Sequence, residues 1–495
     1  MAVADVVPSG SDSTAEVLDV EHPDDATVGK LAAQVARRIE ADVVRRGWPV
    51  GELLGSEPEL RERYGVSRSV LREAVRLVEH HQVARMRRGP NGGLFVSPPD
   101  AGPAAQAVVI YLEYVGASVA DLIEARRLLE PLAAGLAAQH VTEDGIDLVR
   151  RTIDAETITD SPEDRTTQPL HVVLSELSTN PVLRLFIDVL IRLTNRYTDP
   201  SGIPPRDYRR ARAEAVRRHA EIADAVIAGD RSKAEAWMGD YLEAISGWML
   251  KYSRTPHSGL AGSSTIPAGE ETPGAKLAEV VASRLREEIA SSGWSVGTVL
   301  GSEADLLARY GISRAVLREA VRLLEYHSVA RMRRGPGGGL VVGSPDPQAS
   351  IDTMALYLEY QRVTGADLVM VRDAIELGLI SRVTGRYHDP LVAERLEEAV
   401  TWTGDGTADD EDWAEHYHEV LAELAGNPVL ALFLRILAEL WRRHTNKERA
   451  EISDSARAEV EHVHRRITEA VLAGDEGLAR HRMRRHLTAV TEWWH

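Results

Sequence analysis

Two pairs of arginines stand in a twelve-residue phrase that the chain carries twice, 246 positions apart. The copies read YGVSRSVLREAV and YGISRAVLREAV. Residues four apart share a helix face, so Arg68 projects with Arg72, and Arg314 with Arg318. An arginine fork binds guanine or a phosphate through two hydrogen bonds. The phrase therefore predicts a helix that contacts a polyanion.

Serines and a basic, glycine-rich segment flank these arginines. Ser67, Ser69 and Ser313 lie where the helix begins, and there the free N–H groups and the helix dipole favour phosphate. The following segments, VARMRRGPNGGLFV and VARMRRGPGGGLVV, place Gly and Pro between short β-prone runs and predict a hairpin or wing. The wing residues that we predict to contact the polyanion are Arg87, Arg88, Gly92, Arg333, Arg334 and Gly338.

The repeat covers almost the whole chain. Its register continues past the wings, and HVVLSELSTNPVLRLF of the first half returns as HEVLAELAGNPVLALF in the second. The unit is about 245 residues long, a period that indicates fused domains rather than a solenoid. Between the halves, SRTPHSGLAGSSTIPAGEETPGA has the composition of a flexible linker. The chain is therefore predicted to be a tandem duplication.

Each unit has the same predicted layout. An opening helix precedes GSEPEL or GSEADL, where a serine and an acidic first turn mark a second helix start. Gly65 and Gly311 break that helix before the arginine helix, as in a helix-turn-helix. The fold is predicted to be mainly α, with two winged helix-turn-helix domains and two all-helical bundles. The expected boundaries are 1–26 for a disordered tail, 27–98 and 273–344 for the winged domains, 99–250 and 345–495 for the bundles, and 251–272 for a linker.

Charge and composition narrow the class of protein. The net charge is −18, yet residues 27–98 carry thirteen Lys/Arg against eight Asp/Glu, a balance of +5. The matching segment, 273–343, carries ten against seven, or +3, so positive charge is concentrated in the repeated blocks. The chain has no cysteine, which excludes thiol catalysis and cysteine-ligated zinc. It also has no long apolar run and no signal peptide pattern, so we expect a soluble cytoplasmic protein without membrane contact.

A lone arginine-rich helix is as often a solvated face with local ion pairs as a binding surface. Here the helix recurs in both halves, each time after a helix-turn-helix and before a basic wing. Double-stranded DNA is therefore the predicted partner.

The pattern Ser-Glu-x-x-Leu, Gly-Val-Ser-Arg-x-x-Leu-Arg-Glu-Ala and a glycine-rich wing resembles the winged helix-turn-helix of GntR-type bacterial transcription factors. The helical remainder resembles the FCD ligand-binding domain of their FadR subgroup. The resemblance covers nearly the whole chain in two copies, and it implies that the arginines of the repeated phrase contact DNA. Many relatives carry Arg after the Ser-Glu, where this chain has Pro58 and Ala304, so its preferred DNA sequence should differ.

The same resemblance implies an effector site and a metal site. Arg126 and Arg372 resemble the family's pocket arginine, which suits an effector carboxylate such as a hydroxy acid, sugar acid, fatty acid or acyl-CoA. An equally weighted alternative is an intrahelical pair with Glu130 or Glu376, four residues on. Family members with a metal use an Asp, a His four residues later and two further His.

Spacing supports the metal site in the second half. His464 and His486 lie ten and eleven residues from the Gly-Asp turn at Gly474, so both rise about 15 Å along an antiparallel helix pair. His418 could join them, and three imidazoles suit Zn or Ni. The Asp position is Ala414, so Glu415 or water would complete the shell.

In the first half the pattern decays. His171 and His219 remain, but Thr167 takes the Asp position and Tyr241 replaces the third histidine. A phenol is a poor ligand at neutral pH because its pKa is about 10. We therefore expect at most about one ion per chain, in the second half.

Three functions compete. The first is a DNA-binding regulator, with repression the expected sign, whose bundles sense a metabolite. The second is a metal-dependent hydrolase, for which HExxH, a phosphate loop and G-x-S-x-G are all missing. The third is a scaffold with one decayed half, which the intact arginines and wings of both halves oppose. We favour the regulator, as a single-chain pseudo-dimer on one pseudo-palindromic operator. The sequence leaves the effector and further self-association open.

Overall fold

The computed structural model describes residues 25–89, 92–158, 169–197, 203–253, 274–333, 335, 337–402, 413–445 and 454–492. These residues form twenty helices and five strands, so the prediction of a mainly helical chain is confirmed. None of the described helices is long and apolar enough to span a membrane.

The first DNA-binding domain has the predicted order of elements. They are α1 (Asp25–Arg45), β1 (Leu53–Gly55), α2 (Glu57–Tyr64), α3 (Arg68–His80), β2 (Ala84–Arg87) and β3 (Gly93–Val96). The Glu59 carboxylate accepts a hydrogen bond from the Ser56 backbone N–H at 2.8 Å, which begins α2. Gly65 ends α2 at φ 63°, a left-handed conformation that glycine adopts without strain. Helix α3 then begins at Ser67, whose hydroxyl accepts from the Val70 N–H.

An apolar stripe holds α3 against the rest of this domain. Its residues are Val70, Leu71, Ala74, Val75 and Val78, all at most 5% exposed. The strands form an antiparallel sheet in the order β1-β3-β2, with Ala84 opposite Val96. The stripe leaves the arginines of α3 on the opposite, solvent-facing side.

The second DNA-binding domain repeats the first. Its elements are α11 (Gly274–Ser291), α12 (Glu303–Tyr310), α13 (Arg314–Tyr326), β4 (Ala330–Arg333) and β5 (Gly339–Val342). Gly311 ends α12 at φ 62°, and Ser313 caps α13 by accepting from the Val316 N–H. A single bridge between Val299 and Val341 takes the place of strand β1.

Two helical bundles complete the chain. The first bundle consists of α4 (Ala101–Tyr114), α5 (Val119–His140), α6 (Glu143–Ile158), α7 (Leu170–Leu177), α8 (Pro181–Tyr197), α9 (Pro205–Ile227) and α10 (Arg231–Tyr252). The second consists of α14 (Pro347–Tyr360), α15 (Gly365–Thr384), α16 (Pro390–Thr401), α17 (Trp413–Ala425), α18 (Pro428–Thr445), α19 (Asp454–Leu472) and α20 (Glu476–Glu492). The long central helices α5 and α15 both begin with a capping box, at Ser118 and Thr364.

The two bundles pack on each other with reciprocal contacts. Phe186 of α8 stacks on Phe433 of α18, with ring centroids 3.9 Å apart. The Asn180 amide donates to the Asp367 carbonyl at 3.1 Å, and the matching Asn427 amide donates to the Asp121 carbonyl at 3.2 Å. One buried core runs through both bundles. The chain thus contains the two-fold-like interface that two separate subunits would otherwise form.

The chain divides into two compact units, one ending at Pro98 and one beginning at Pro99. The first DNA-binding domain is a unit by itself, whereas the second belongs to the same unit as both bundles. The second DNA-binding domain packs on α4 of the first bundle. Ile110 of α4 joins the core of that domain, and the Tyr114 ring meets the Trp294 ring edge to face, with centroids 5.6 Å apart.

Candidate nucleic-acid interface and sensory sites

The predicted DNA-contacting arginines lie on exposed helix surface. The side chains of Arg68 and Arg72 are each 60% exposed, and Arg314 and Arg318 are exposed at the same positions of α13. Within each helix they stand one turn apart at or near its N-terminus. In both copies two guanidinium groups project from the exposed face of the helix.

The first pair is held by a local carboxylate. Glu57 accepts a hydrogen bond from Arg68 at 2.5 Å and lies 3.8 Å from Arg72, and the two arginines lower its pKa. The matching Glu303 forms no ion pair with Arg314 among the residues that the structure describes. The exposed contact of Glu57 with Arg68 and Arg72 contributes little free energy in water, so a phosphate can replace the Glu57 carboxylate.

The wings place their glycines at tight turns. The Gly92 N–H donates to the Gly89 carbonyl and the Gly338 N–H to the Gly335 carbonyl, both at 2.9 Å. A Cβ on Gly92 would come within 2.4 Å of the Arg87 carbonyl oxygen, so no larger residue fits. The Arg87 guanidinium lies 4.4 Å from the Phe95 ring centroid, which orients it along the wing.

The other predicted contact residues are three wing arginines and Ser69 of α3. Arg88 is exposed, and Arg333 donates to the Gly337 carbonyl at 2.8 Å. The predicted contact Arg334 lies outside the described residues. Ser69 is exposed beside Ser67, with their hydroxyl oxygens 2.9 Å apart.

The three histidines of the second bundle meet in its core. His418 Nε2 lies 3.2 Å from His486 Nε2, which lies 3.2 Å from His464 Nε2. Their ligand atoms all fall within 4.8 Å of one another, and each side chain is at most 5% exposed. Tetrahedral ligands at about 2.0–2.1 Å from zinc are roughly 3.4 Å apart, so the donor set fits such an ion.

Neighbouring charges prepare these rings to bind a cation. The Glu376 carboxylate pairs with His418 Nδ1 at 2.7 Å, which turns the Nε2 lone pair of that ring towards the other two histidines. Burial raises the Glu376 pKa, but His418 and Arg372 outweigh it and lower the pKa to about 2. Burial, and then the charge of His418, lower the His486 pKa to about 3. His486 is therefore neutral and a competent ligand at pH 7.

Glu415, the predicted replacement for the missing aspartate, points elsewhere. Its carboxylate oxygens lie 3.3 Å from Arg372 Nη2, and it is not part of the histidine cluster. Arg372 therefore lies between two carboxylates, since its Nε also donates to Glu376 at 3.1 Å. The side chain of Ala414 lies outside the described residues.

The first bundle has a different centre. Tyr241 lies between the two remaining histidines, with ring centroids 5.3 Å from His171 and 4.6 Å from His219. Burial raises the Tyr241 pKa, so the phenol stays protonated. Glu130 pairs with His171 Nδ1 at 2.6 Å, and Glu156 with His219 Nδ1 at 2.7 Å. Thr167, at the predicted aspartate position, lies outside the described residues.

A cavity of about 690 Å³ opens beside this centre. Arg126, both histidines and Tyr241 line one side of it, and Trp248 lies among its aromatic walls. His219 Nε2 and Trp248 Nε1 are buried and have no hydrogen-bond partner among the described residues. The volume is that of a small-molecule site, and these two atoms are the polar groups such a ligand would satisfy.

Arg126 forms the intrahelical pair that was the alternative to a pocket role. Its Nε donates to Glu130 at 2.5 Å and its Nη2 at 3.5 Å, deep in the core. The same residue lines the cavity, so the two roles do not exclude each other. Arg372 pairs with Glu376 and also contacts a second carboxylate, that of Glu415, and its side chain is 12% exposed.

Sequence reasoning missed the carboxylates that orient the histidines. The sequence pattern predicts Glu130 and Glu376 only as partners of the arginines four residues before them, and it gives no role to Glu156. Their signal is an acidic residue in an otherwise apolar helix core, where burial demands a partner. It also missed the cavity, whose walls come from helices distant in sequence.

Two family descriptions match the chain, and each matches it twice. "Bacterial regulatory proteins, gntR family" covers residues 31–96 and 277–340, and "FCD domain" covers 121–244 and 367–489. The chain belongs to the GntR family. It is a DNA-binding transcriptional regulator rather than an enzyme, and it contains two copies of both domains of a GntR regulator with an FCD domain.

Single-copy GntR relatives align with about half of this chain. The Bacillus subtilis protein "Uncharacterized HTH-type transcriptional regulator YcbG" is 29% identical over 45% of this chain and 91% of its own length. The Escherichia coli K12 "Putative L-lactate dehydrogenase operon regulatory protein" is 27% identical over 45% and 88%. Among solved structures, a Streptococcus agalactiae GntR is 22% identical over 44% of this chain and 99% of its own, with a TM-score of 0.32.

Proposed function

We propose that one chain binds one pseudo-palindromic operator and represses transcription from it, with α3 and α13 as the two recognition helices. The observation that carries this proposal is the matched exposure of Arg68, Arg72, Arg314 and Arg318 on helices of nearly the same sequence. Two recognition helices in one chain give the second contact a high effective concentration. A footprint of the purified protein on its own upstream DNA tests the proposal. Protection of two inverted half-sites about one helical turn apart is expected, and protection of one half-site would contradict it.

We also propose that the second FCD domain holds one Zn or Ni ion on His418, His464 and His486. The donor set supports this, because three imidazoles converge and Glu376 orients one of them. The ion would fix three helices at one point and offer its open positions to an anionic ligand. Arg372, held by Glu376 and Glu415, would keep the surrounding charge balanced.

The effector class follows with support from the cavity of the first FCD domain. A guanidinium has five N–H donors, and Glu130 engages those of Arg126 Nε and Nη2, so further donors remain for a carboxylate. Two relatives are named "Putative L-lactate dehydrogenase operon regulatory protein" and "Uxu operon regulator". We propose a carboxylate metabolite, such as a hydroxy acid, sugar acid, fatty acid or acyl-CoA, as the effector.

A thermal-shift screen of these four compound classes tests that proposal. A ligand of the first domain should raise the melting temperature of the wild type and of Arg372→Ala, but not that of Arg126→Ala. The matched arginine variants separate the two domains. A carboxylate that binds all three proteins equally would remove both arginines from the effector site.

A further inference from the structure

The second DNA-binding domain rests on the first FCD domain through a buried ionic cluster. Glu113 of α4 is 2% exposed, and its carboxylate contacts Arg196 of α8 and lies 3.6 Å from Arg286 of α11. Arg196 also lies 3.9 Å from Glu287 of α11. One arginine of the FCD domain is therefore shared between its own helix α4 and the DNA-binding domain.

The shared arginine follows directly after the cavity wall. Ile191, Thr194 and Asn195 of α8 line the cavity, and Arg196 is the next residue on that helix. A rotation or shift of α8 caused by a molecule in the cavity would move the Arg196 guanidinium relative to Glu113. A buried carboxylate that loses a cationic partner is destabilised, so the cluster responds to small displacements.

The matching position in the first DNA-binding domain has the opposite charge. The repeat aligns Arg286 with Glu40, which is 3% exposed and pairs with His81 inside its own domain at 2.5 Å. The repeat also aligns Glu113 with Glu359 and Arg196 with Arg443, and that pair is 4.0 Å apart in the second FCD domain. The first DNA-binding domain thus lacks the cation that completes the cluster in the second.

We propose that the cavity of the first FCD domain controls the DNA-binding domain of the other half, through Arg196, Glu113 and Arg286. The coupling joins the FCD domain of the first half to the DNA-binding domain of the second half. It has no counterpart in the other direction, because Glu40 stands where the second half has Arg286. The inference rests on the proposed sensing of a metabolite and adds which DNA-binding domain responds. Binding to one half-site of the operator would then depend on the cavity, while the other half-site would be bound whether or not the cavity is occupied.

The repeat itself supplies a probe that needs no identified ligand. Thr194 aligns with Trp441, so Thr194→Trp places the second domain's own bulky side chain against the cavity of the first. Hydrogen exchange of the full chain then reports on each DNA-binding domain separately. We expect exchange in α11 and α13 to change by about 5-fold or more, the lower end of allosteric couplings, and exchange in α1 and α3 to stay unchanged.

Breaking the cluster should abolish that response. In Thr194→Trp with Glu113→Gln, α11 and α13 should exchange as in Glu113→Gln alone, whereas the matched control Glu359→Gln should leave the response intact. Arg286→Glu, which copies the first half, should act like Glu113→Gln. Exchange in α5 and α15 verifies that every variant is folded.

Equal changes in both DNA-binding domains would overturn the proposal. A response that survives Glu113→Gln and Arg286→Glu would also overturn it. An unchanged second DNA-binding domain in a folded Thr194→Trp protein would do the same. None of these results bears on whether the wild type binds DNA, which the footprint decides separately.

Discussion

At the scale of single residues, the predicted contact and ligand groups are charged or titratable, and some of their neighbours differ between the halves. Arg68 and Arg72 share a local carboxylate, whereas Arg314 has no such ion pair among the described residues. His171 and His219 are each held by a glutamate, as is His418. The duplication therefore preserved the glutamate partner of His171 and His418 but not the ion pair of the first arginine.

Removing one recognition arginine should weaken specific DNA binding. Arg72→Ala or Arg318→Ala should each cost about 1–3 kcal/mol, because each removes a bidentate contact to a base or phosphate. Mobility shifts at several salt concentrations measure the loss. Arg76→Ala is the control, since Arg76 is exposed one turn further along α3 and pairs with Glu73 at 3.0 Å. An unchanged affinity and salt dependence for either arginine variant would mean that its half does not contact DNA.

Metal binding should depend on the second-half histidines alone. We expect about one divalent ion per chain at most, since, within the part of the chain that the structure describes, three imidazoles converge only in the second FCD domain and zinc sites need three or four ligands. Elemental analysis of the full chain should show the ion lost in His464→Ala with His486→Ala and retained in His219→Ala. Loss of the ion in His219→Ala would show that the metal site lies in the first half and would contradict the prediction.

At the scale of elements, helix α13 ends at His327, a histidine with a lowered pKa. Burial, and then the charge of Arg286, lower the pKa of His327 to about 4, whereas an unfolded histidine has a pKa of about 6.5. The folded domain therefore binds fewer protons than the unfolded one below pH 6.5. Stability is fully present above that pH and is lost as the pH falls towards 4.

Acid should accordingly loosen α13. Between pH 7 and pH 5 the free energy of opening of α13 should fall by about 1–2 kcal/mol more in the wild type than in His327→Gln, after allowance for the partial exposure of the ring. Hydrogen exchange, corrected for the intrinsic pH dependence of the rates, measures this difference. Parallel pH profiles of the two proteins would show that His327 is not the titrating group.

At the scale of the whole molecule, one chain joins two helical bundles in a shared core. The bundles share one core through Phe186 and Phe433 and through two reciprocal asparagine contacts. A second chain is then unnecessary for bringing two sensory domains together. The two copies remain free to diverge, because a change in one half is not imposed on the other.

The expected stoichiometry follows from this linkage. Titration of an operator duplex, followed by analytical ultracentrifugation, should saturate at one chain per duplex, because one chain carries both recognition helices. Arg72→Ala and Arg318→Ala should lower the affinity without changing this ratio. Saturation at two chains per duplex would show that each chain uses only one of its recognition helices.

The sequence by itself determined the elements and their duplication. Serine caps, the helix-ending glycines at 65 and 311, and the apolar stripe of α3 act within a few residues, so spacing alone predicted the helix-turn-helix and its exposed arginines. The histidine triad was also predictable, since His464 and His486 lie nearly equidistant from one turn between antiparallel helices.

Only the tertiary structure decided which charges meet. Glu376 reaches His418 across 42 positions, Glu156 reaches His219 across 63, and the cluster of Glu113, Arg196 and Arg286 joins three helices from two domains. No spacing rule relates such residues, because their distance depends on how whole helices pack. The cavity of the first FCD domain arises in the same way, from walls that five separate helices supply.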